Sequence, residues 1–445
     1  MKRFVIVLLA VMLLCASALA DEVSVQQVLN LLQTSDGGYG TLHAMMSPDM
    51  QAALPPEALA QLMPQLEGTF GSYLGLKDDL SIAAVEGYTV HTQTMDMALM
   101  DLTCTMAVDA NDQIAGLNFT LAAQAEAIGV LPSGVTEEAV TIGEAPWQLP
   151  GMLSIPQSNV PVPAVVLVHG SGPSDMDETA YAVKPFRDLA AALAREGVAV
   201  LRYDKRTYTH GAAIAAGDMT AFTVEEETIQ DAIAAGRLLR DDPRIDPERI
   251  FVVGHSLGAM LAPRIVAESD GLFCGMALLN GTNASLAEVI VQQNKDAVSA
   301  MTVEQQAAYA PAIAALEAQA AGLSAVTEEE AKAAQFAGQS AYYFWEMLQH
   351  PTPAEQMKTL ALPALIINGS RDFQVRQEQG RLLWEAALDM DAPWLTCLWT
   401  DVNHMLMKPD VPADVAGTIG EYAVSCTVDA SVTEAICAFI NHTEE

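Results

Sequence analysis

The chain has 445 residues, about half of them hydrophobic (51%), with 21 Lys and Arg against 56 Asp and Glu, a formal charge of −35. A field this negative repels phosphate backbones and anionic membrane surfaces, so it argues against nucleic acid as a partner and fits solubility outside a cell. At about 150 residues per domain the length allows two or three domains.

In chain order, Lys2 and Arg3 form a basic start, Phe4 to Cys15 an apolar run, and Ala18-Leu19-Ala20 a small-residue cleavage pattern. Residues 1–20 therefore read as a secretory signal peptide, and the product is expected to be secreted or extracytoplasmic. The apolar run is shorter than the ~20 residues of a spanning helix, and Asp21-Glu22 follows it at once, so no membrane span is expected after cleavage. Losing Lys2 and Arg3 would take the formal charge to −37. Cys104, Cys274, Cys397, Cys426 and Cys437 remain, an odd number without CxxC or Cys/His spacing, and no metal site is expected. Cys426 and Cys437 could pair in an oxidising compartment or stay as buried thiols.

Residues 21–125 read as a small α+β domain. Helices are expected over Val23–Gln33 and Pro56–Glu67, followed by alternating strands across residues 88–122 that break at the turn signal Asp109-Ala110-Asn111-Asp112. A linker is expected over 126–142. From 143 to 445 the pattern alternates strand and helix, which implies a mostly parallel sheet covered on both faces. The expected strands are Ala164–Val168, Val198–Tyr203, Arg249–Val253, Gly275–Leu279, Ala364–Asn368 and Trp394–Trp399. A helical insertion at about 282–358 reads as a cap over the carboxyl edge of the sheet. Its aromatic run, Tyr342 to Trp345, either attaches the cap to the core or lines a pocket beneath it.

The chemistry concentrates in "IFVVGHSLGAML", Ile250 to Leu261. A Gly-x-Ser-x-Gly string is weak evidence alone. Here it directly follows an apolar strand and opens a helix, the elbow that presents a nucleophilic serine. Ser256 then sits at a helix N-terminus, where the Leu257 N–H is free to stabilise an oxyanion. A serine hydroxyl needs a base. His404 follows the last strand in "TDVNHML", at the same edge as Ser256. His43 and His91 lie in the other domain, and His255 points away from its neighbour's hydroxyl. Asp372 in "NGSRDFQV" follows the fifth strand and is expected to orient the histidine, with Asp401 as the rival acid. The loop "VLVHGSGPSD" is expected to supply the second oxyanion donor from the Ser171 N–H, with His169 bracing the loop. Lys205 and Arg206 in "RYDKRT" read as structural ion pairs rather than a receptor for a substrate carboxylate.

Taken together, "VLVHGSGPSDMDE", "KPFRDLAAALAREGVAVLRYDKRT", "GHSLGAM", "NGSRDFQV" and "VNHM" resemble the α/β-hydrolase superfamily. They look closest to a bacterial carboxylesterase group related to dienelactone hydrolases and acyl-CoA thioesterases. The N-terminal segment "MSPDMQAALPPEALAQLMPQLEGTFGSYLGL" looks like a domain of unknown function that often precedes such esterases. The resemblance, over about Gly143 to the C-terminus, implies an α/β-hydrolase fold and hydrolysis of small-molecule esters through an acyl-enzyme on Ser256, Asp372 and His404, without a cofactor. Met176 departs from it, standing where related chains often carry a charged residue. A thioesterase, acyltransferase or peptidase would use the same three residues. A non-catalytic binding protein on a hydrolase scaffold is the rival from another class.

Overall fold

A computed structural model describes residues 23–33, 38–85, 87–98, 100–122, 131–217, 219–413 and 415–442. The expected signal peptide lies outside the described residues. The chain divides between residues 126 and 127 into two compact units.

The N-terminal unit is α+β. Its first helix, Val25–Gln33, buries Val25, Val28, Leu29 and Leu32, the spacing that puts four apolar side chains on one helical face. Helix Pro56–Phe70 and two short helices, Gly38–Ala44 and Pro48–Ala53, accompany it. The sheet is antiparallel, with strands β1 (Tyr73–Leu76), β2 (Ser81–Val85), β3 (Tyr88–Met97), β4 (Leu102–Val108) and β5 (Ile114–Leu121). Its order is β1-β3-β4-β5, with β2 also paired to β3. Leu102, Cys104, Met106 and Val108 alternate inward along β4. The expected turn is there: Asp109 Oδ1 accepts the N–H groups of Asn111 (2.8 Å) and Gln113 (2.9 Å), which folds β5 back on β4.

The second unit is built on an eight-stranded sheet. Its strands are β6 (Val135–Ile142), β7 (Leu149–Pro156), β8 (Val162–Val168), β9 (Ala199–Tyr203), β10 (Ile245–His255), β11 (Gly275–Leu279), β14 (Ala364–Gly369) and β15 (Leu395–Thr400). They lie in the order β15-β14-β11-β10-β8-β9-β7-β6. The last six in sequence are mutually parallel, whereas β7 runs antiparallel to β9 and β6 to β7. Alternate residues feed two cores on opposite faces: Val166, Val252, Leu278 and Ile366 on one, Val165, Val253, Ala277 and Ile367 on the other. Each of the six expected strands is present. Residues 135–142, read from sequence as part of the linker, instead form the edge strand β6. The run Val-Thr-Glu-Glu-Ala-Val-Thr-Ile is polar because an edge strand is buried on few sides, and that hides it.

The insertion after β11 is helical, with helices Leu286–Ser299, Val303–Gly322, Glu328–Ala333, Ala341–Leu348 and Pro353–Leu360. Four of them open with a reciprocal capping box, at Ser285/Glu288, Thr302/Gln305, Thr327/Glu330 and Thr352/Glu355. These boxes satisfy the N–H groups that a helix start leaves unpaired. A small hairpin, β12 (Gln335–Phe336) and β13 (Gln339–Ser340), interrupts the helices. Ala337 and Gly338 turn it with φ of 49° and 81°, the geometry of a two-residue hairpin loop.

Candidate active site

Ser256 joins β10 to the helix Leu257–Glu268 and has φ 54° and ψ −114°, a conformation that non-glycine residues seldom adopt. The turn is held from both sides. The Ser256 N–H donates to the Leu279 carbonyl (2.9 Å), and the Ser256 carbonyl accepts from the Met260 N–H (3.1 Å). The flanking glycines are steric requirements. A Cβ on Gly254 would lie 2.2 Å from the Gly258 carbonyl oxygen, and one on Gly258 would lie 2.2 Å from that of Val168.

Asp372 lies in the turn after β14. Its Oδ1 accepts the N–H groups of Gln374 and Val375, each at 2.8 Å, which fixes the carboxylate plane. Its Oδ2 lies 2.7 Å from Nδ1 of His404, and both side chains are buried. A proton on Nδ1 directed at the carboxylate leaves Nε2 as the acceptor, the tautomer a general base needs. The His404 carbonyl is fixed as well, accepting from His255 Nε2 (2.8 Å) and Asn280 Nδ2 (2.9 Å). Asp401 is exposed and accepts instead from the Ser370 hydroxyl (3.2 Å). Among the described residues no hydrogen bond joins the Ser256 hydroxyl to His404. Such contacts often close only once substrate is bound.

Ser171, Ser256 and Leu257 line one cavity of about 640 Å³, walled on the cap side by residues that include Tyr343 and Phe344. No described residue accepts a hydrogen bond from the N–H of Ser171 or Leu257. Gly170, just before Ser171, is gripped at both polar atoms: its N–H donates to Glu178 Oε1 and its carbonyl accepts from Lys205 Nζ, each at 2.8 Å. His169 braces this loop through its Nε2, 3.0 Å from the Asp175 carbonyl, and its ring packs on Phe186 and Tyr203. Burial pulls its pKa down to about 4, so the ring is neutral near pH 7. The cap aromatics divide. Tyr343 and Phe344 face the cavity, while Tyr342 stacks on Trp345 away from it.

A family model described as "Alpha/beta hydrolase family" matches residues 165–418, more than half of the chain. The chain belongs to the α/β hydrolase family. Esterase EstD of Thermotoga maritima is 30% identical over 402 residues, covering 89% of this chain and 90% of that protein. Among solved structures, a Pyrococcus furiosus esterase is 17% identical with a TM-score of 0.41, covering 69% of this chain and 91% of that one. Est1E from Butyrivibrio proteoclasticus is 15% identical with a TM-score of 0.42, covering 68% and 98%.

In this α/β hydrolase the five residues singled out from sequence follow carboxyl ends of parallel strands, where open α/β sheets bind their ligands. Ser171 follows β8, Ser256 and Leu257 follow β10, Asp372 follows β14 and His404 follows β15. Sequence reasoning missed three supporting residues. Asn280, after β11, donates through Nδ2 to the carbonyls of Asn403 and His404 and accepts the Gly369 N–H at Oδ1 (2.7 Å), tying three loops together. Glu178 and His255 form a buried pair at 3.0 Å. Burial opposes both charges and each charge offsets it for the other, so the Glu178 carboxyl is held below its ordinary range and the His255 imidazole above. Lys205 pairs with Glu227 and Arg206 with Asp231, as the ion-pair reading expects. Met176 contributes its N–H to Asp204 Oδ1. Cys104, Cys274, Cys397, Cys426 and Cys437 are all free thiols.

Proposed function

We propose that this α/β hydrolase is a secreted serine carboxylesterase. Ser256 attacks the acyl carbonyl while His404 removes its proton. The tetrahedral oxyanion is held by the N–H groups of Ser171 and Leu257. Its collapse expels the alcohol, to which His404 returns the proton, and water then repeats the sequence on the acyl-enzyme to release the acid. Asp372 orients the imidazole and stabilises its charged form. The observation that carries this reading is the 2.7 Å contact between His404 Nδ1 and Asp372, set at the same sheet edge as a strained Ser256. The likeness to a protein named an esterase supports the bond type.

The cavity lining favours an uncharged ester. Among the described residues that line it, Glu227 is the one acidic or basic residue, and that carboxylate is matched by Lys205. The test is labelling with a fluorophosphonate probe, with the adduct mapped to Ser256, alongside rates on nitrophenyl esters, a thioester and a peptide anilide. Labelling elsewhere, or turnover of the thioester or anilide above that of the esters, overturns the assignment. Sequencing the N-terminus of exported protein tests cleavage after Ala20.

A further inference from the structure

Lys205 stands at the carboxyl end of β9 and is buried to 2% exposure, a costly place for an ammonium unless its partners are well placed. Two of its partners are close: the Gly170 carbonyl at 2.8 Å and Glu227 Oε1 at 3.0 Å. The first is the important one. The Gly170 carbonyl and the Ser171 N–H belong to a single peptide unit, which is planar and trans, so the two bonds point in opposite directions. Whatever fixes the carbonyl also fixes the N–H. Lys205 on one side of this peptide therefore aims the Ser171 N–H to the other, and Ser171 lines the cavity with Ser256.

Glu227 extends the connection. It lies in a single π-helical turn, Glu225–Ile229, of the kind that recurs at functional sites. Its Oε2 accepts a hydrogen bond from the hydroxyl of Tyr343, which belongs to the cap and lines the same cavity. A continuous polar path thus runs from the cap, through a buried ion pair, to the peptide that carries a proposed oxyanion donor.

We infer that Lys205 is a positioning residue that sets the direction of the Ser171 N–H, and that Glu227 and Tyr343 couple this setting to the cap. The inference rests on the serine-esterase reading above. It gives the "RYDKRT" segment a part in the reaction without contact to substrate. Because an oxyanion forms only on the way through the reaction, a misaimed donor lowers kcat and leaves ground-state binding alone.

The decisive variant is the double substitution Lys205→Met with Glu227→Gln, which removes both charges together and keeps an acceptor for the Tyr343 hydroxyl. Kinetics on a nitrophenyl ester, affinity for a trifluoromethyl ketone that forms a tetrahedral adduct, and melting temperature are measured together. The expected result is a fall in kcat of about ten- to a hundredfold, KM within about threefold of wild type, and a loss of ketone affinity parallel to kcat. A kcat within about threefold of wild type, whatever the melting temperature, reduces Lys205 to a structural ion pair. A raised KM with unchanged kcat assigns the pair to substrate binding, through Glu227 at the cavity wall, and either result overturns the inference. If the double variant does not fold, Lys205→Arg keeps the charge opposite Glu227 while replacing the single ammonium at the Gly170 carbonyl, and the same split is read from it. Tyr343→Phe tests the cap link and should lower kcat by about two- to fivefold at constant KM; no change removes the cap from the inference. Wild-type protein that fails to label at Ser256 overturns the esterase reading, and this inference with it. Labelled protein with insensitive Lys205 variants overturns this inference alone.

Discussion

Nδ1 of His255 faces Oε1 of Glu178 at 3.0 Å, with both side chains buried. The same Oε1 accepts the Gly170 N–H, and the other ring nitrogen of His255 reaches the His404 carbonyl. Both imidazole nitrogens therefore meet acceptors, an arrangement that only the doubly protonated ring satisfies in full. The pair ties the loop before Ser171 to the loop carrying His404, directly beside Ser256. The variable position of the Gly-x-Ser-x-Gly string thus points inward and works as a brace.

This pair gives stability a pH window. The His255 pKa is raised above its ordinary 6.5, so its contribution is complete below about pH 6.5 and is lost as pH rises through the raised value. The Glu178 pKa is lowered beneath 4.5, so its contribution is complete above about pH 4.5 and is lost as pH falls through the lowered value. The melting temperature of wild type should exceed that of the Glu178→Gln/His255→Gln variant by most between these limits, and by less on either side. A constant difference from about pH 4 to pH 9 would mean that the two groups meet as neutral partners.

Replacing Ser256 separates chemistry from strain. Ser256→Ala should lower ester turnover by about four orders of magnitude or more with almost no change in melting temperature, because the hydroxyl packs little and alanine inherits the same backbone strain. Ser256→Gly should be equally inactive yet more stable by about 1 kcal/mol, since glycine accepts φ 54° without penalty. Purified Ser256→Ala with turnover within about tenfold of the parent would remove the nucleophile assignment.

The two candidate acids should respond very differently. Asp372→Asn loses the charge opposite His404 and favours the wrong tautomer, so kcat should fall by about three to four orders of magnitude. Asp401→Asn alters an exposed side chain bonded to Ser370 and should change kcat by no more than about threefold. Circular dichroism on both variants checks folding, and the reverse ranking would move the role to Asp401.

Legibility in the sequence followed burial. Strands β8 and β11 are buried along their whole length and read as unbroken apolar runs, so "AVVLV" and "GMALL" could be placed to within two residues. Strand β10 begins at Ile245, four residues before the expected Arg249, because Asp246-Pro247-Glu248 carries no apolar pattern. The antiparallel β6 went unread for the same reason, and β7 because Pro150, Gly151 and Pro156 interrupt its apolar residues. Ser256, Asp372 and His404 were legible because each ends a recognisable strand. Glu178, His255 and Asn280 were not, since the Glu178–His255 pair spans 77 residues of chain and the Asn280 bonds span 89 or more. The aromatic run in the cap shows the limit of pattern reading. Adjacent residues on a helix face different ways, and the packing of the cap turns Phe344 to the cavity and Trp345 away from it.

That division allows a test of substrate length. A second cavity of about 140 Å³ adjoins the one at Ser256, and Met260, Leu286 and Phe344 border both, forming the wall between them. Phe344→Ala should open that wall and add room comparable to a cavity that accepts a benzene ring. Relative kcat/KM across nitrophenyl esters of increasing acyl length should then shift toward longer chains, at a stability cost of about 3–5 kcal/mol for the lost aromatic packing. Trp345→Ala is the control. Its indole donates to the Val326 carbonyl (3.0 Å) and stacks on Tyr342, so it should lower the melting temperature while leaving the length profile unchanged. If both variants melt early and keep the parental profile, Phe344 only fastens the cap. Acyl length would then be set by the other cap residues at the cavity, Val289 and Ile290 on the helix Leu286–Ser299 first among them.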